Sequence, residues 1–148
     1  MNIGLIVSME QTLAIIKPDA VAARRVGAII GRIEVEELEV KGVRLIRLKK
    51  CEAEGFYAVH REKPFFDSLT TFMSSGPIVV LVLEAPGAIS RWRRLMGATD
   101  PAQAEPGTLR REYGTSIDRN ATHGSDAEGT AASELSYFFS AIELSSDS

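Results

Sequence analysis

Ile78–Leu83 reads I-V-V-L-V-L, bounded by Ser75-Gly76-Pro77 on one side and Pro86-Gly87 on the other. A short apolar run between turn signals is a strand. With no polar position it has no face for water, which puts it in the middle of a sheet. Upstream, Thr12–Ile16 (T-L-A-I-I) is a second apolar, partly β-branched run. It stops at Lys17-Pro18, because proline cannot donate to a ladder. Between the two runs, Val26, Ile29, Ile30, Ile33 and Glu37 share one helical face, four of them apolar, which predicts an amphipathic helix over residues 25–36. Val40–Lys49 reads as a strand with imperfect alternation. Glu52–His60 reads as a helix, and Pro64 opens another over Phe65–Met73, proline being favoured in a first helical turn.

Downstream of the central run, Ile89, Trp92 and Met96 share a helical face, and Gly97 is a C-cap candidate. Residues 98–120 hold Pro101, Pro106, Gly107 and Gly114 without sustained periodicity and read as a long loop. A last, weak strand falls within Ile117–His123. Ser125-Asp126-Ala127-Glu128 fits a capping box, Ser at N-cap and Glu at N3, opening a helix with Ala127, Ala131, Leu135 and Phe138/Phe139 on one face. The order β-α-β-α-α-β-α-loop-β-α predicts an α/β chain of the α+β sandwich type. Its form is a ferredoxin-like plait, with a mostly antiparallel four-stranded sheet covered by helices.

The chain has 148 residues and no internal linker or repeat, enough for one domain. Lys and Arg number 17 against 20 Asp and Glu, a net charge of -3, where a protein holding nucleic acid by bulk charge would be basic. From Ala121 onward there are five acids and no Lys or Arg, which leaves 17 bases against 15 acids before it. A single cysteine, Cys51, excludes an internal disulfide framework. The apolar start, M-N-I-G-L-I-V-S-M, lacks the basic residues and length of a signal peptide. No run has the roughly 18 apolar residues of a membrane helix. The expected location is the cytoplasm, with no membrane and no stable nucleic-acid partner.

Two histidines are present, His60 and His123. His123 stands in N-A-T-H-G-S-D, just before a predicted helix start, where free N–H groups and the helix dipole favour an anion. Gly124 beside it would give access to the ring. His123 is either a nucleophilic or acid–base histidine beside an anion site or a histidine packed near a cap. Lys17, pinned by Pro18, either points a fixed charge into a site or snorkels from a strand end. Arg93, Thr99 and Arg110 carry groups that suit a phosphate chain. Arg91 and Arg94 read as a solvated face. Phe65 and Phe66 read as core, with base stacking as the other option. His60 and Cys51 read as structural. No G-x-x-x-x-G-K-[ST] loop occurs, so any phosphate chemistry must use another design.

Six blocks make a stronger case together. T-L-A-I-I-K-P-D-A-V (12–21), P-F-F (64–66), S-G-P (75–77), L-M-G-A-T (95–99), P-G-T-L-R (106–110) and N-A-T-H-G-S-D (120–126) closely resemble the nucleoside diphosphate kinase family, in its order and spacing, from Gln11 to Phe139. The resemblance implies a ping-pong enzyme that moves the γ-phosphate of a nucleoside triphosphate, typically ATP, to a nucleoside diphosphate. His123 matches the histidine phosphorylated through Nδ1. Glu134 matches the glutamate orienting its ring, and Ser125 the serine assisting. Lys17, Tyr57, Arg93, Thr99 and Arg110 match the phosphate grip, with Lys17 and Tyr57 also in the catalytic set. Lys17 and Asn120 match the contacts to the sugar 3′-hydroxyl. Phe65 matches the platform under the base and Ile117 the apolar residue on its other face.

The resemblance also implies Mg2+ held by the nucleotide's phosphates rather than by a protein cage, and homotetramers or homohexamers built from dimers. A catalytically inactive nucleotide-binding or interaction module is the alternative, and no matched residue is missing. A further role in phosphorylating other proteins' histidines is also open. Residues 1–10 read as an N-terminal extension, with Met9 a candidate start, 11–142 as the domain and 143–148 as a short tail. Two departures stand out. Glu34–Glu39 reads E-V-E-E-L-E where the family usually has a glycine, and Asp100 replaces a common asparagine.

Overall fold

The computed structural model describes residues 8–145 of the chain. Residues 1–7 of the expected 1–10 extension and positions 146–148 of the expected tail lie outside the described residues. In chain order the elements are β1 (Glu10–Ile16), α1 (Pro18–Ala22), α2 (Val26–Val35), β2 (Glu39–Ile46), α3 (Lys50–Phe56), α4 (Phe66–Met73), β3 (Ile78–Ala85), α5 (Ala88–Met96), α6 (Leu109–Tyr113), β4 (Thr122–Gly124), α7 (Glu128–Phe138) and α8 (Ala141–Leu144). A 3-10 turn over Ala58–His60 follows α3.

The four strands form one antiparallel sheet in the order β2-β3-β1-β4. The predicted central strand is β3, buried at all eight positions. Its period-two alternation feeds two layers. Val79, Leu81, Leu83 and Ala85, with Ala14 and Ile16 of β1, pack against Ile29, Ile33, Trp92 and Met96 of α2 and α5. Ile78, Val80 and Val82, with Leu13 and Ile15, pack against Ala53, Tyr57, Met73, Leu135 and Phe138. A strand covered on both faces has no need of polar residues, hence I-V-V-L-V-L.

The missing glycine after α2 has a direct consequence. Glu37 takes a left-handed φ of 61° at the position a glycine would favour. The turn closes with Glu37 N–H donating to Glu34 O (3.0 Å) and Leu38 N–H to Ile33 O (3.2 Å), while Leu38 is buried. Three short helices, α1, α6 and the four-residue α8, escape the periodicity. α1 begins at Pro18 straight after Lys17, and α6 interrupts the expected 98–120 loop, capped by Thr108, whose Oγ1 accepts from Arg111 N–H. Four or five residues are too few to show a period.

The start of α7 also differs from expectation. Its N-cap is Ala127, with Thr130 Oγ1 accepting from Ala127 N–H (3.0 Å), so Ser125 is not the cap. Ser125 is fully buried and its hydroxyl donates to Glu134 instead. At the other end of the domain, Arg44 donates to both carboxylate oxygens of Glu143 and to Phe138 O, and Gln11 donates to Leu144 O. These contacts seat α8 beside β2 and β1.

Candidate functional site

β4 is three residues long, and His123 is its central residue, paired with Ile15 of β1. Four observations describe how it is held. Its Nε2 lies 2.9 Å from Glu134 Oε1, reached from α7 across eleven positions, and that same oxygen accepts from Ser125 Oγ (2.9 Å). Its carbonyl accepts from the indole N–H of fully buried Trp92 (3.1 Å). The rings of Phe56 and Tyr57 stand edge-on to it, at centroid distances of 5.5 and 6.1 Å. With Nε2 donating to a carboxylate, the neutral ring keeps its lone pair on Nδ1.

Gly124 does not open access to the ring. A Cβ there would stand 2.5 Å from Met96 Cε and 2.7 Å from Trp92 Cδ1, so the glycine lets β4 lie against α5. The expected helix dipole is also more distant, since α7 begins at Glu128.

The positive charges assemble from three elements. Lys17, 7% exposed at the end of β1, donates through Nζ to Asn120 Oδ1 (2.8 Å), and Asn120 Nδ2 donates to Thr99 O (3.0 Å). Burial lowers the Lys17 pKa to about 8, and Arg110 adds to the effect against the opposing pull of Asp19 and Asp118. Arg110, on α6, donates to Gly97 O and Thr122 O (both 3.0 Å). Its Nε is buried without a partner, and burial with the neighbouring Arg93 lowers its pKa to about 10. Arg93, on α5, pairs with Asp126 at 2.7 Å in solvent. Cations brought this close while partly dry are arranged for an anion.

Tyr57 is buried with its hydroxyl unpartnered, and burial together with the Glu134 charge raises its pKa. Thr99 is exposed. Phe65 and Ile117 are 45% and 57% exposed, unlike the core residues around them. A cleft of about 200 Å³ is lined by Ser68, Leu69 and Phe72 of α4 and by Asp118 and Arg119, with neither Phe65 nor Ile117 in its lining. His60 is half-buried in the 3-10 turn between Tyr57 and Phe65, at ring centroid distances of 6.5 and 5.6 Å. Arg91 is not merely solvated, since it donates to Glu36 O and Pro86 O and ties α5 to the end of α2. Asp100 Oδ1 accepts from Ala102 N–H, a turn contact that asparagine would also make.

A family model described as "Nucleoside diphosphate kinase" matches residues 10–144. The chain belongs to the nucleoside diphosphate kinase family. It is 62% identical over 136 residues to the "Nucleoside diphosphate kinase" of Desulfotalea psychrophila, a match covering 92% of this chain and 99% of that one. Among solved structures, the Aquifex aeolicus nucleoside diphosphate kinase superposes with a TM-score of 0.91 at 40% identity, covering 93% of this chain and all of that one. The Halobacterium salinarum nucleoside diphosphate kinase in complex with CDP gives 0.90 at 39% identity, covering 95% and 94%. The chain is a kinase of this family, and the reaction is phosphate transfer between nucleotides. The fold expected from the sequence, a four-stranded antiparallel plait under helices, is the fold of these structures.

Several groups in the site carry no local signal in the sequence. Phe56 and Trp92 sit in helical stretches whose local pattern carries no sign of their contacts with His123. Asp19 lies inside the K-P-D block, yet nothing local announces that its carboxylate reaches Ala121.

Proposed function

We propose that His123 carries the phosphoryl group between the two half-reactions. In the first, Nδ1 attacks the γ-phosphorus of a nucleoside triphosphate, typically ATP. The N–P bond forms as the bond from phosphorus to the β,γ-bridging oxygen breaks, and the diphosphate leaves with that electron pair. In the second, a terminal oxygen of a different diphosphate attacks the same phosphorus and His123 is regenerated. The observation that carries this reading is the 2.9 Å contact between His123 Nε2 and Glu134 Oε1. It holds the Nε2–H tautomer, keeps the nucleophilic pair on Nδ1 and supports the positive charge that grows on the ring.

Ser125 steadies Glu134 through its own hydrogen bond. Lys17 and Arg110, with Arg93 at the rim, neutralise the phosphate chain, and Thr99 offers it a hydroxyl donor. Transfer of this kind depends on positioning and charge more than on covalent machinery. The unpartnered hydroxyl of Tyr57 and Nε of Arg110 are donors available to phosphate oxygens. The Lys17–Asn120 pair suits the sugar 3′-hydroxyl. Phe65 serves as the platform for the base, with Ile117 opposite. Stacking reads no base in particular, so all nucleosides are accepted.

Magnesium fits this donor set as a passenger on the nucleotide. The side chains assigned to the phosphate grip are cationic or neutral, and the acids beside them are already engaged: Glu134 with His123 and Ser125, Asp126 with Arg93, Asp19 with Ala121 N–H, while Asp118 acts on Lys17. Among the described residues no group of three or more His, Cys, Asp or Glu is placed to hold a metal. When bound, the ion supplies charge neutralisation between phosphate oxygens.

Assembly into tetramers or hexamers built from dimers is supported by the exposed Val43 and Leu45 on the outer strand β2. Residence in the cytoplasm is supported by the lone, exposed Cys51. Among the described residues no helix is long and apolar enough to cross a membrane.

The test is labelling. Incubation with γ-labelled ATP is expected to leave an acid-labile, alkali-stable phosphate on the protein, removable by any ribo- or deoxyribonucleoside diphosphate. His123→Ala is expected to take no label. A labelled His123→Ala, or an unlabelled wild type, would overturn the reading.

A further inference from the structure

Among the described residues, three non-glycine residues have left-handed backbones: Arg24, Glu37 and Ala121. The first two are explained by helix ends. They are exposed, and each closes a helix with the paired hydrogen bonds of its last turn. Ala121 is different. It is fully buried with φ 71°, and Thr122 N–H donates to Asn120 O (2.8 Å) across it. That is a γ-turn of the rare, strained hand. It stands immediately between Asn120, which holds the Lys17 ammonium, and the strand that presents His123.

A strained turn persists only where its surroundings enforce it. Both polar backbone groups of Ala121 are committed to one distant segment. Its carbonyl accepts from Lys17 N–H (2.8 Å), and its N–H donates to Asp19 Oδ2 (3.0 Å), 102 positions away. The other carboxylate oxygen, Oδ1, is buried with no hydrogen-bond partner. A carboxylate carrying one dry, unpaired oxygen is an expensive way to accept a single N–H. Nothing in the phosphoryl-transfer scheme uses it otherwise.

We infer that Asp19 is a positioning residue for the transfer: its carboxylate clamps the γ-turn at Ala121 and thereby sets Asn120, Lys17 and His123 in mutual register. It touches neither the substrate nor the reacting atoms. The inference rests on the assignment of His123 and Lys17 given above.

Asp19 has a second effect through its charge. The charged groups acting on Lys17 are Arg110 from α6, Asp118 from the loop before β4 and Asp19 itself from α1. Removing the Asp19 charge while keeping an acceptor leaves Arg110 less opposed. The pH at which Lys17 deprotonates then falls.

The experiment compares Asp19→Asn, Asp19→Ala and Asp19→Ala/Ala121→Gly with wild type, each as a full chain, by steady-state kinetics, pH profile and thermal midpoint. Asp19→Ala is expected to lower kcat by about ten- to a hundredfold, the scale of a small misplacement of reacting groups, with a smaller change in KM. Ala121→Gly in that background is expected to restore part of the loss, because glycine adopts the turn without the clamp. Asp19→Asn is expected to keep most of kcat but to move the alkaline limb of kcat/KM to lower pH.

Wild-type kinetics in Asp19→Ala would overturn the inference. So would a loss that Ala121→Gly leaves untouched, or an alkaline limb unmoved in Asp19→Asn. His123→Ala separates the two levels. If it still labels, the site assignment itself is wrong; if it is dead while the Asp19 variants behave as wild type, only this inference fails.

Discussion

The inner wall and the outer rim of the site are built on opposite terms. At the wall, Lys17, Asn120, Arg110, Ser125 and Glu134 are held by hydrogen bonds of 2.8–3.0 Å drawn from five separate segments. At the rim, Phe65 and Ile117 are about half exposed, Thr99 is in solvent and Arg93 is held by one exposed ion pair. The difference follows from what each part handles. A phosphoryl group in transit is one fixed shape and charge, so the wall is preorganised for it. A base varies in size and hydrogen-bonding edge, so the rim offers flat apolar surface and nothing more specific.

If that division is right, damage at the wall strikes turnover and damage at the rim strikes affinity. The largest effect is expected from Lys17→Met, which keeps the bulk and removes the charge. Losing one preorganised electrostatic contact lowers kcat/KM by about a hundred- to a thousandfold. The thermal midpoint is not expected to fall in proportion, because the buried ammonium is itself a burden on the fold.

The pH dependence carries the same contrast. With its folded pKa lowered to about 8 from the ordinary lysine value of 10.5, Lys17 loses its proton earlier in the folded chain than in the unfolded one. Between those values the unfolded state binds more protons, so this group's contribution to stability rises with pH. Over the same window kcat/KM falls. A wild-type profile flat from pH 7 to 10 would contradict the role given to Lys17.

A rim change should do less, and do it elsewhere. Phe65→Ala is expected to raise KM for every nucleotide by about tenfold, within the roughly 1–3 kcal/mol of one stacked base, with kcat close to wild type. An effect confined to purines, or a fall in kcat alone, would blur the line between wall and rim. The smallest effect belongs to neither region. Glu37→Gly relieves a left-handed glutamate at an exposed helix end. It should stabilise the fold by about 0.5 kcal/mol, the strain released less the added freedom of the unfolded chain. Activity should not change, and calorimetry beside a turnover assay checks both.

The legible parts of the chain were those whose cause is local. β1, β3, α2 and α5 stood out because a run of apolar residues or a 3.6-residue period is written over neighbouring positions. α1, α6 and α8 carry no such signal, because four or five residues cannot show a period. The capping box expected at Ser125 does not form, for a related reason. Serine three residues before a glutamate has the right pattern, but its hydroxyl found a better partner on the far side of the coming helix turn. At Gly124 the absence of a side chain looked like access. The space is filled by Trp92 and Met96, more than twenty-five residues earlier in the chain.

Sequence alone therefore determined the kind of protein this is. The six blocks name the nucleoside diphosphate kinase family, the two apolar runs predict the sheet, and N-A-T-H-G-S-D picks out one histidine of two. It could not determine how that histidine is held. Glu134 reaches it only because α7 packs back across β1, the strand that β4 pairs with. Lys17 meets Asn120, and Asp19 meets Ala121, only because the end of β1 lies beside the entry to β4. Those contacts join residues a hundred positions apart, and hydrogen bonds of about 3 Å depend on the whole sheet being in register. Propensity acts over a few residues; the geometry of a transferred phosphate is set across the entire domain.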